Sequence, residues 1–130
     1  MYAAWNAGGI AALEPYVTDD LAWQDAPELP DSDSFAGKTA TLARLSDFAG
    51  GQILGRQIEV AEIREANDYA LVFMDAQASG GSAGAPSVQQ KIIHLLHFAP
   101  DGRVDRAQAF FDRAAAEAAF AAASADSTVR

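Results

Sequence analysis

The sequence predicts an α+β fold in which a cone-shaped, curved antiparallel sheet wraps around helices. Three observations predict it. Helical patterns occupy the early part of the chain and its end, four long stretches with strand periodicity follow one another between Gln52 and Phe111, and only turns or small-residue loops separate these stretches. Because parallel strands would need a crossover between each pair, the four stretches are expected to form an antiparallel meander.

Four short elements are expected before the meander. In chain order they are two helical pieces, a strand and a longer helix, over residues 2–7, 10–14, 21–25 and 38–49. Glycine pairs or a proline end each helical piece, and an acidic loop with two prolines follows the strand. In the longer helix Leu42, Leu45 and either Phe48 or Ala49 recur near helical spacing, so this apolar stripe is expected to face the sheet.

Alternating side chains and turn residues define the meander itself. The four strands are predicted around residues 58–61, 69–76, 88–98 and 103–111. Asn67-Asp68 and Pro100-Asp101-Gly102 supply turns, and a loop of small residues covers residues 79–87. Asp112 is expected to cap an alanine-rich final helix, after which the tail at residues 124–130 is expected to fray.

Composition removes whole classes of function. The 130 residues suit one domain, residues 1–130, and no segment approaches the roughly 20 apolar residues of a membrane helix. The formal net charge of −9 disfavours nucleic acid and anionic lipid as partners. The absence of cysteine excludes disulfides and thiolate chemistry. No secretory signal is visible at the N-terminus, so the cytoplasm is the expected compartment.

Several segments together carry a resemblance to a known superfamily. Residues 3–8, 17–25 and 35–38 resemble the start of ketosteroid isomerase and of SnoaL-like polyketide cyclases, and residues 97–104 and 111–113 resemble the last hairpin and terminal helix of this nuclear transport factor 2-like superfamily. The resemblance implies a ketosteroid isomerase-like, or cystatin-like, roll around an apolar pocket. It also implies a homodimer that associates through the outer face of the sheet.

Asp25 is the first candidate catalytic residue. By resemblance it stands where ketosteroid isomerase carries its general base, at the end of the first strand. Alternate residues of a strand point the same way, so Trp23 and Leu21 are expected to share its side. Their apolar surfaces would remove water from the carboxylate and favour its protonated form, which suits proton abstraction. The alternative is a solvated carboxylate that begins a turn.

His94 is the second candidate. It precedes Gly102 by eight positions, where the resemblance places the protonated aspartic acid of an oxyanion hole. A histidine there could donate a hydrogen bond or transfer a proton itself. Its side of the strand also holds Ile92, Leu96 and Phe98, as a pocket wall would. The alternative is a buried histidine that is hydrogen-bonded to the backbone.

Aromatic and aliphatic side chains are expected to line the pocket. The predicted substrate-binding residues are Tyr2, Trp5, Trp23, Leu96 and Phe98. The family's first-helix tyrosine aligns with Met1, and a shift of one residue turns a helical side chain by about 100°, so Tyr2 should point elsewhere and the reaction should differ from steroid isomerisation. No metal site is expected, because His94 and His97 project to opposite faces of their strand.

Two classes of function remain open at the level of sequence. The first is an enzyme without a cofactor, in which Asp25 removes or relays a proton while His94 polarises a carbonyl, epoxide or hydroxyl group of a small apolar organic molecule. Such an enzyme would be an isomerase, polyketide cyclase, dehydratase or epoxide hydrolase. The second is a non-catalytic module of the same fold that binds a small ligand or dimerises, since this fold hosts many unrelated functions.

Overall fold

One open sheet organises the computed structural model of the chain, which describes residues 10–28, 32–50, 57–78 and 88–128. Its six strands are β1 (Val17–Gln24), β2 (Ser34–Ala36), β3 (Gln57–Ala66), β4 (Tyr69–Ala78), β5 (Val88–Phe98) and β6 (Val104–Phe110). A 3₁₀ helix (Ile10–Tyr16) and two α-helices, α1 (Lys38–Gly50) and α2 (Arg113–Thr128), accompany them. The order across the sheet is β2-β1-β6-β5-β4-β3. The predicted α+β class is confirmed.

The predicted meander is present. Strands β3, β4, β5 and β6 are neighbours in that order, and each pair is antiparallel. The turns between them use residues that tolerate the left-handed region: Asn67 has a φ of 57° and Gly102 a φ of 88°. The long strands therefore follow from local sequence, because both alternation and turn chemistry point to the same register.

The remaining two strands make the sheet mixed. β1 pairs in parallel with β6, and the three-residue β2 adds to its other edge in antiparallel orientation. A parallel pair needs a long connection, and here α1 and four strands lie between β1 and β6 in the chain. β2 begins at the end of the segment that is predicted to be only a loop. The sequence does not predict this strand, because three residues are too few to show a strand period.

Each face of the sheet packs against helix. On the inner face, which we define as the face covered by the 3₁₀ helix and α1, buried residues from β1, β4, β5 and β6 form one cluster that includes Leu21, Trp23, Val72, Ile92 and Leu96. On the outer face, α2 covers a second cluster that comprises Leu71, Phe73, Ile93, Leu95, Phe110 and Ala116. β4 and β5 are thus buried on both faces, which explains their nearly continuous apolar sequence.

The final helix is longer than the sequence pattern predicts. Asp112 caps it as expected, since its Oδ2 accepts a hydrogen bond from the backbone of Ala115 at 3.1 Å. It continues to Thr128, through residues for which fraying is predicted, and the Asn67 side chain donates to the Ser124 carbonyl at 2.9 Å. Within the described ranges no helix is long and apolar enough to cross a membrane. Because α2 covers part of the outer face, the predicted homodimer would have to associate through the part of that face that α2 leaves uncovered. Dimerisation stays a prediction.

Candidate active site

The end of β1 turns the Asp25 side chain into the protein. The Asp25 backbone N–H donates to the Asp33 carbonyl at 2.9 Å, and the Asp33 N–H returns a hydrogen bond to Asp25 Oδ2 at 3.2 Å. This reciprocal pair closes the loop that leads to β2. The Asp25 side chain is completely buried as a result, so the alternative of a solvated turn carboxylate does not describe it.

Four side-chain hydrogen bonds compensate the charge of the Asp25 carboxylate. Trp23 Nε1 donates to Oδ1 at 2.8 Å, and Arg44 donates to Oδ2 through Nη2 at 2.8 Å and Nε at 3.1 Å. Arg44 Nε also donates to Oδ1, at 3.4 Å. Trp23 and Asp25 therefore share one side of β1, as their spacing predicts. A buried carboxylate is stable only when it is paired and hydrogen-bonded, and Arg44 supplies the opposite charge.

Arg44 is a site residue that sequence reasoning missed. Gly37, whose φ is 96°, redirects the chain from β2 into α1, and the helix then brings Arg44 to the end of β1. Its guanidinium also lies 5.3 Å from the centre of the Phe35 ring on β2. The sequence signal that could have indicated its role is its position next to Leu45, which belongs to the apolar stripe of α1.

His94 lies on the inner face of β5, where its imidazole is 3% exposed. The ring meets the Trp23 indole edge-on, with 5.3 Å between the ring centres and 89° between the planes. Burial lowers the pKa of His94 to about 4, because the charged form loses its hydration. His94 is therefore neutral at pH 7. His97 lies on the opposite face, as predicted, where its ring packs against Tyr69.

A small cavity adjoins His94 on the inner face. It measures about 30 Å³, and Trp23, His94, Leu96 and Thr41 contribute to its lining. This volume suits a single water molecule. The Thr41 side chain is completely buried, and its hydroxyl has no hydrogen-bond partner within the described residues. An oxygen or nitrogen atom of a molecule bound in the cavity could therefore form a hydrogen bond with the Thr41 hydroxyl.

A larger cavity opens next to it on the same face. It measures about 220 Å³ and includes Phe98, Tyr16 and Ile63 in its lining, and it shares Leu96 and Val104 with the small cavity. Tyr16 and Ile63 are 44% and 53% exposed, so this cavity faces solvent. We call the two cavities together the inner hollow.

The structure places the predicted residues unevenly around the inner hollow. Trp23, Leu96 and Phe98 line it, together with His94. Asp25 lines neither cavity. Its carboxylate contacts the Trp23 indole, which lines the small cavity and also contacts the His94 imidazole. Tyr2 and Trp5 lie outside the described residues. Among the residues that are described, no group of three or more histidine, aspartate or glutamate side chains is arranged to hold a metal ion.

Comparisons with known proteins show the family and the fold of the chain. A model of the SnoaL-like domain matches residues 1–107. The chain belongs to the SnoaL-like domain family. No curated protein matches this SnoaL-like domain in sequence. Solved structures do match it, and since those described below share less than 25% identity with it, they establish the ketosteroid isomerase-like fold alone.

Three solved structures illustrate the range of similar proteins. SalBIII, an epoxide hydrolase/cyclase-like enzyme of pyran ring formation in the polyether salinomycin, has a TM-score of 0.65 and 14% identity over 87% of this SnoaL-like domain and 85% of SalBIII. A protein from a soil-derived mobile gene cassette has a TM-score of 0.69 and 18% identity over 92% and 88% of the two chains. A hypothetical protein with a ketosteroid isomerase-like fold from Catenulispora acidiphila, in complex with trimethylamine, has a TM-score of 0.67 and 13% identity over 90% and 85% of the two chains.

Replacing Trp23 by phenylalanine tests how the SnoaL-like domain holds its buried carboxylate. The substitution keeps an aromatic ring but removes the Nε1 donor from Asp25 Oδ1. We expect the free energy of unfolding to fall by about 1–3 kcal/mol, since a buried acceptor loses a partner. Urea denaturation measures the change. The control Tyr16→Phe removes a polar group from an exposed ring and should leave stability unchanged; equal losses in both variants would contradict the role given to Nε1.

Proposed function

We propose that this SnoaL-like domain is an enzyme without a cofactor that performs acid/base chemistry on a small apolar organic molecule in the inner hollow, with Asp25 and His94 as its catalytic residues. One observation carries the proposal. A buried carboxylate and a buried neutral imidazole both contact the same indole, that of Trp23, at the wall of an otherwise apolar cavity. Pairs of titratable groups held in different environments beside a cavity are typical of acid/base sites.

His94 is proposed to polarise an oxygen of the substrate. With a pKa of about 4, the ring is neutral at pH 7 and carries one N–H, so it acts as a hydrogen-bond donor to a carbonyl, epoxide or hydroxyl oxygen rather than as an imidazolium. Its burial shields it from bulk solvent, which strengthens such a hydrogen bond. The Thr41 hydroxyl in the same cavity is a second group that a substrate oxygen could bind.

Asp25 is proposed to remove or relay the proton. Because Trp23 and Arg44 donate to its two oxygens, proton transfer requires one of these donors to move aside. Arg44 is the candidate, since its side chain is 16% exposed and can move toward solvent, whereas Trp23 is held in the core. Neither Asp25 nor Arg44 lines the inner hollow, so the position that Arg44 vacates at Oδ2 must open to the hollow for the substrate's acidic proton to reach the carboxylate.

The reaction class remains open among isomerisation, cyclisation, dehydration and epoxide opening. Family membership and the likeness to SalBIII, an epoxide hydrolase/cyclase-like enzyme, support placing epoxides and polyketide esters beside enones in a substrate panel. All of these reactions develop negative charge on oxygen while a proton moves, so each can use the same two groups. The apolar lining favours substrates with few polar atoms.

A non-catalytic binding module is the second candidate, and one observation favours it. Both oxygens of Asp25 accept hydrogen bonds from the protein, as expected of a carboxylate that stabilises the end of β1. In that case the inner hollow would bind a small ligand without converting it. The two candidates differ in whether the carboxylate must take part in turnover.

Kinetics of Asp25→Asn and His94→Ala on the panel of enones, epoxides and polyketide esters distinguish the candidates. We expect each substitution to lower kcat/KM by at least about 100-fold on the substrate that wild type converts, because each removes a group that acts in the transition state. Asp101→Asn, which neutralises an exposed turn carboxylate, is the matched control and should retain full activity. Circular dichroism verifies folding of each variant. Folded variants that retain the wild-type rate would contradict the catalytic assignment, and absence of turnover together with ligand binding would favour the binding module.

A further inference from the structure

The outer face of the sheet carries a groove that the proposed chemistry does not use. This outer groove has a volume of about 610 Å³ and lies between the outer face of β1, β5 and β6 and the second half of α2. Its volume falls within the range of about 300–1,000 Å³ that is common for small-molecule sites. The groove lies across the sheet from His94, so whatever it binds is independent of the catalytic role proposed for the inner hollow.

Three linked polar side chains, His97, Tyr69 and Arg106, line one side of the outer groove, and Asp105 contacts His97 without lining the groove itself. His97 pairs with Arg106 and Phe98 with Val104, which leaves Asp105 as the extra residue of a β-bulge. The bulge turns the Asp105 carboxylate toward His97, with 2.5 Å between Oδ1 and Nδ1. Asp105 thereby orients the imidazole and leaves Nε2 as the ring nitrogen for hydrogen bonding to a ligand.

Tyr69 and Arg106 complete this polar side. The Tyr69 ring lies 4.7 Å from the His97 ring, and Arg106 Nη2 donates to the Tyr69 hydroxyl at 3.3 Å. Arg106 is otherwise exposed, so most of its donors face solvent at the groove. The guanidinium is therefore held near the imidazole while it keeps donors for a bound molecule.

The charge of the outer groove opposes that of the whole protein. The chain has 18 acidic and 9 basic side chains, yet no carboxylate lines the groove within the residues that the structure describes. Its titratable lining consists of Arg106, His97 and Tyr69. The Arg106 guanidinium and the Tyr69 hydroxyl can donate hydrogen bonds to a ligand, whereas Nε2 of a neutral His97 ring, whose Nδ1–H is directed at Asp105, accepts one. A groove with this lining is complementary to an anion, whereas the rest of an acidic surface repels one.

The opposite side of the outer groove is apolar. Ala119, Ala122 and Ala123 of α2 and Leu95 of β5 provide a surface of small and aliphatic side chains. Because alanines project little, they leave room between helix and sheet for a flat or narrow hydrocarbon group. A ligand here would bury apolar area against α2 while its charged end meets the polar side.

We propose that the outer groove binds a small organic carboxylate with an apolar body, such as an aryl-alkanoic acid. The carboxylate accepts hydrogen bonds from Arg106 and from the Tyr69 hydroxyl, and the hydrocarbon body lies along the alanines of α2. Arginine suits this role because its planar fork matches a carboxylate. Charge and shape together select an amphipathic anion over a neutral molecule of the same size.

NMR titration with 2-naphthylacetate and its neutral amide, 2-naphthylacetamide, tests the proposal. We expect the carboxylate to shift the amide resonances of Arg106, Ala122 and Ala123 and to bind at least about tenfold more tightly than the amide. Arg106→Gln should weaken carboxylate binding by a similar factor, and Ala122→Trp, which fills the groove from an exposed position, should abolish it. Arg103→Gln, which removes an exposed cation outside the groove, is the control and should bind as wild type does.

Several results would overturn the proposal. They are equal affinities for the carboxylate and the amide, shifts confined to residues of the inner hollow such as Leu21 and Leu96, and unchanged binding by Arg106→Gln. A dimer in sedimentation analysis that Ala122→Trp converts to a monomer would show that a second copy of the chain occupies the groove, which would also overturn it. The comparison of the two ligands uses wild-type protein, so it remains decisive even where a variant folds poorly.

Discussion

Replacing Arg44 by methionine is expected to lower the free energy of unfolding by about 3–5 kcal/mol, because it leaves the Asp25 carboxylate buried without a positive partner. Methionine fills much of the volume of the arginine stem, so the loss reports the missing charge and its donors rather than a cavity. Trp23 and the Asp33 backbone still donate to the carboxylate, but neutral donors do not offset the cost of burying its charge. Urea denaturation at pH 7 measures the effect.

Two further variants make the Arg44 result specific. Asp25→Asn in the Arg44→Met background removes the unpaired charge and should recover part of the lost stability, because the two residues are coupled. Arg103→Met breaks the exposed pair with Asp101 and should leave stability within experimental error. Equal losses in Arg44→Met and Arg103→Met, or no recovery in the double variant, would contradict a buried ion pair at the end of β1.

Acidification from pH 6.5 to pH 4 is expected to remove up to about 3 kcal/mol of stability through His94 alone. Burial lowers the pKa of His94 from 6.5 to about 4 in the folded protein. Between these values the unfolded chain binds a proton that the folded protein does not, so the unfolded state gains stability as the pH falls. The contribution is fully present above pH 6.5 and is lost progressively toward pH 4; its size follows from about 1.4 kcal/mol per pKa unit.

Substitution by leucine isolates this contribution from the carboxylates that titrate in the same range. His94→Leu provides an apolar side chain of similar length that cannot bind a proton, so the variant should lack the loss of stability that His94 causes in wild type. As the pH falls from 6.5 to 4, the free energy of unfolding should therefore decrease more for wild type than for the variant. His97→Gln, which removes the histidine of the opposite face, should retain the wild-type loss. A difference between wild type and His94→Leu that does not change with pH would mean that His94 titrates normally, in contact with solvent.

Local sequence was sufficient for most of the fold. Residues close in the chain define β4 and β5, the turns at Asn67 and Gly102 and the cap at Asp112, so each of these features could be predicted on its own. β2 and the parallel pairing of β1 with β6 could not be predicted in this way. β2 is too short to show a period, and β1 and β6 are far apart in sequence.

The candidate site shows the same division. A spacing of two residues on a strand predicts that Trp23 and Asp25 share one face, and that His94 and Leu96 share another. In the structure Trp23 contacts Asp25, and His94 and Leu96 line the same cavity. The charge partner of Asp25 was not predictable in this way, because Arg44 lies 19 residues away on a helix whose position depends on packing against β1. Thr41 was missed for the same reason.

The sequence by itself thus determined the fold class, the meander and the faces on which the two histidines lie, because period, turn residues and capping act over a few neighbours. Only the tertiary structure decided that the Asp25 carboxylate is paired with Arg44, that His94 is neutral against Trp23, and that Asp105 meets His97 across a bulge. Burial and the approach of distant charged groups set these properties, and both arise only when strands and helices that are remote in the chain pack together.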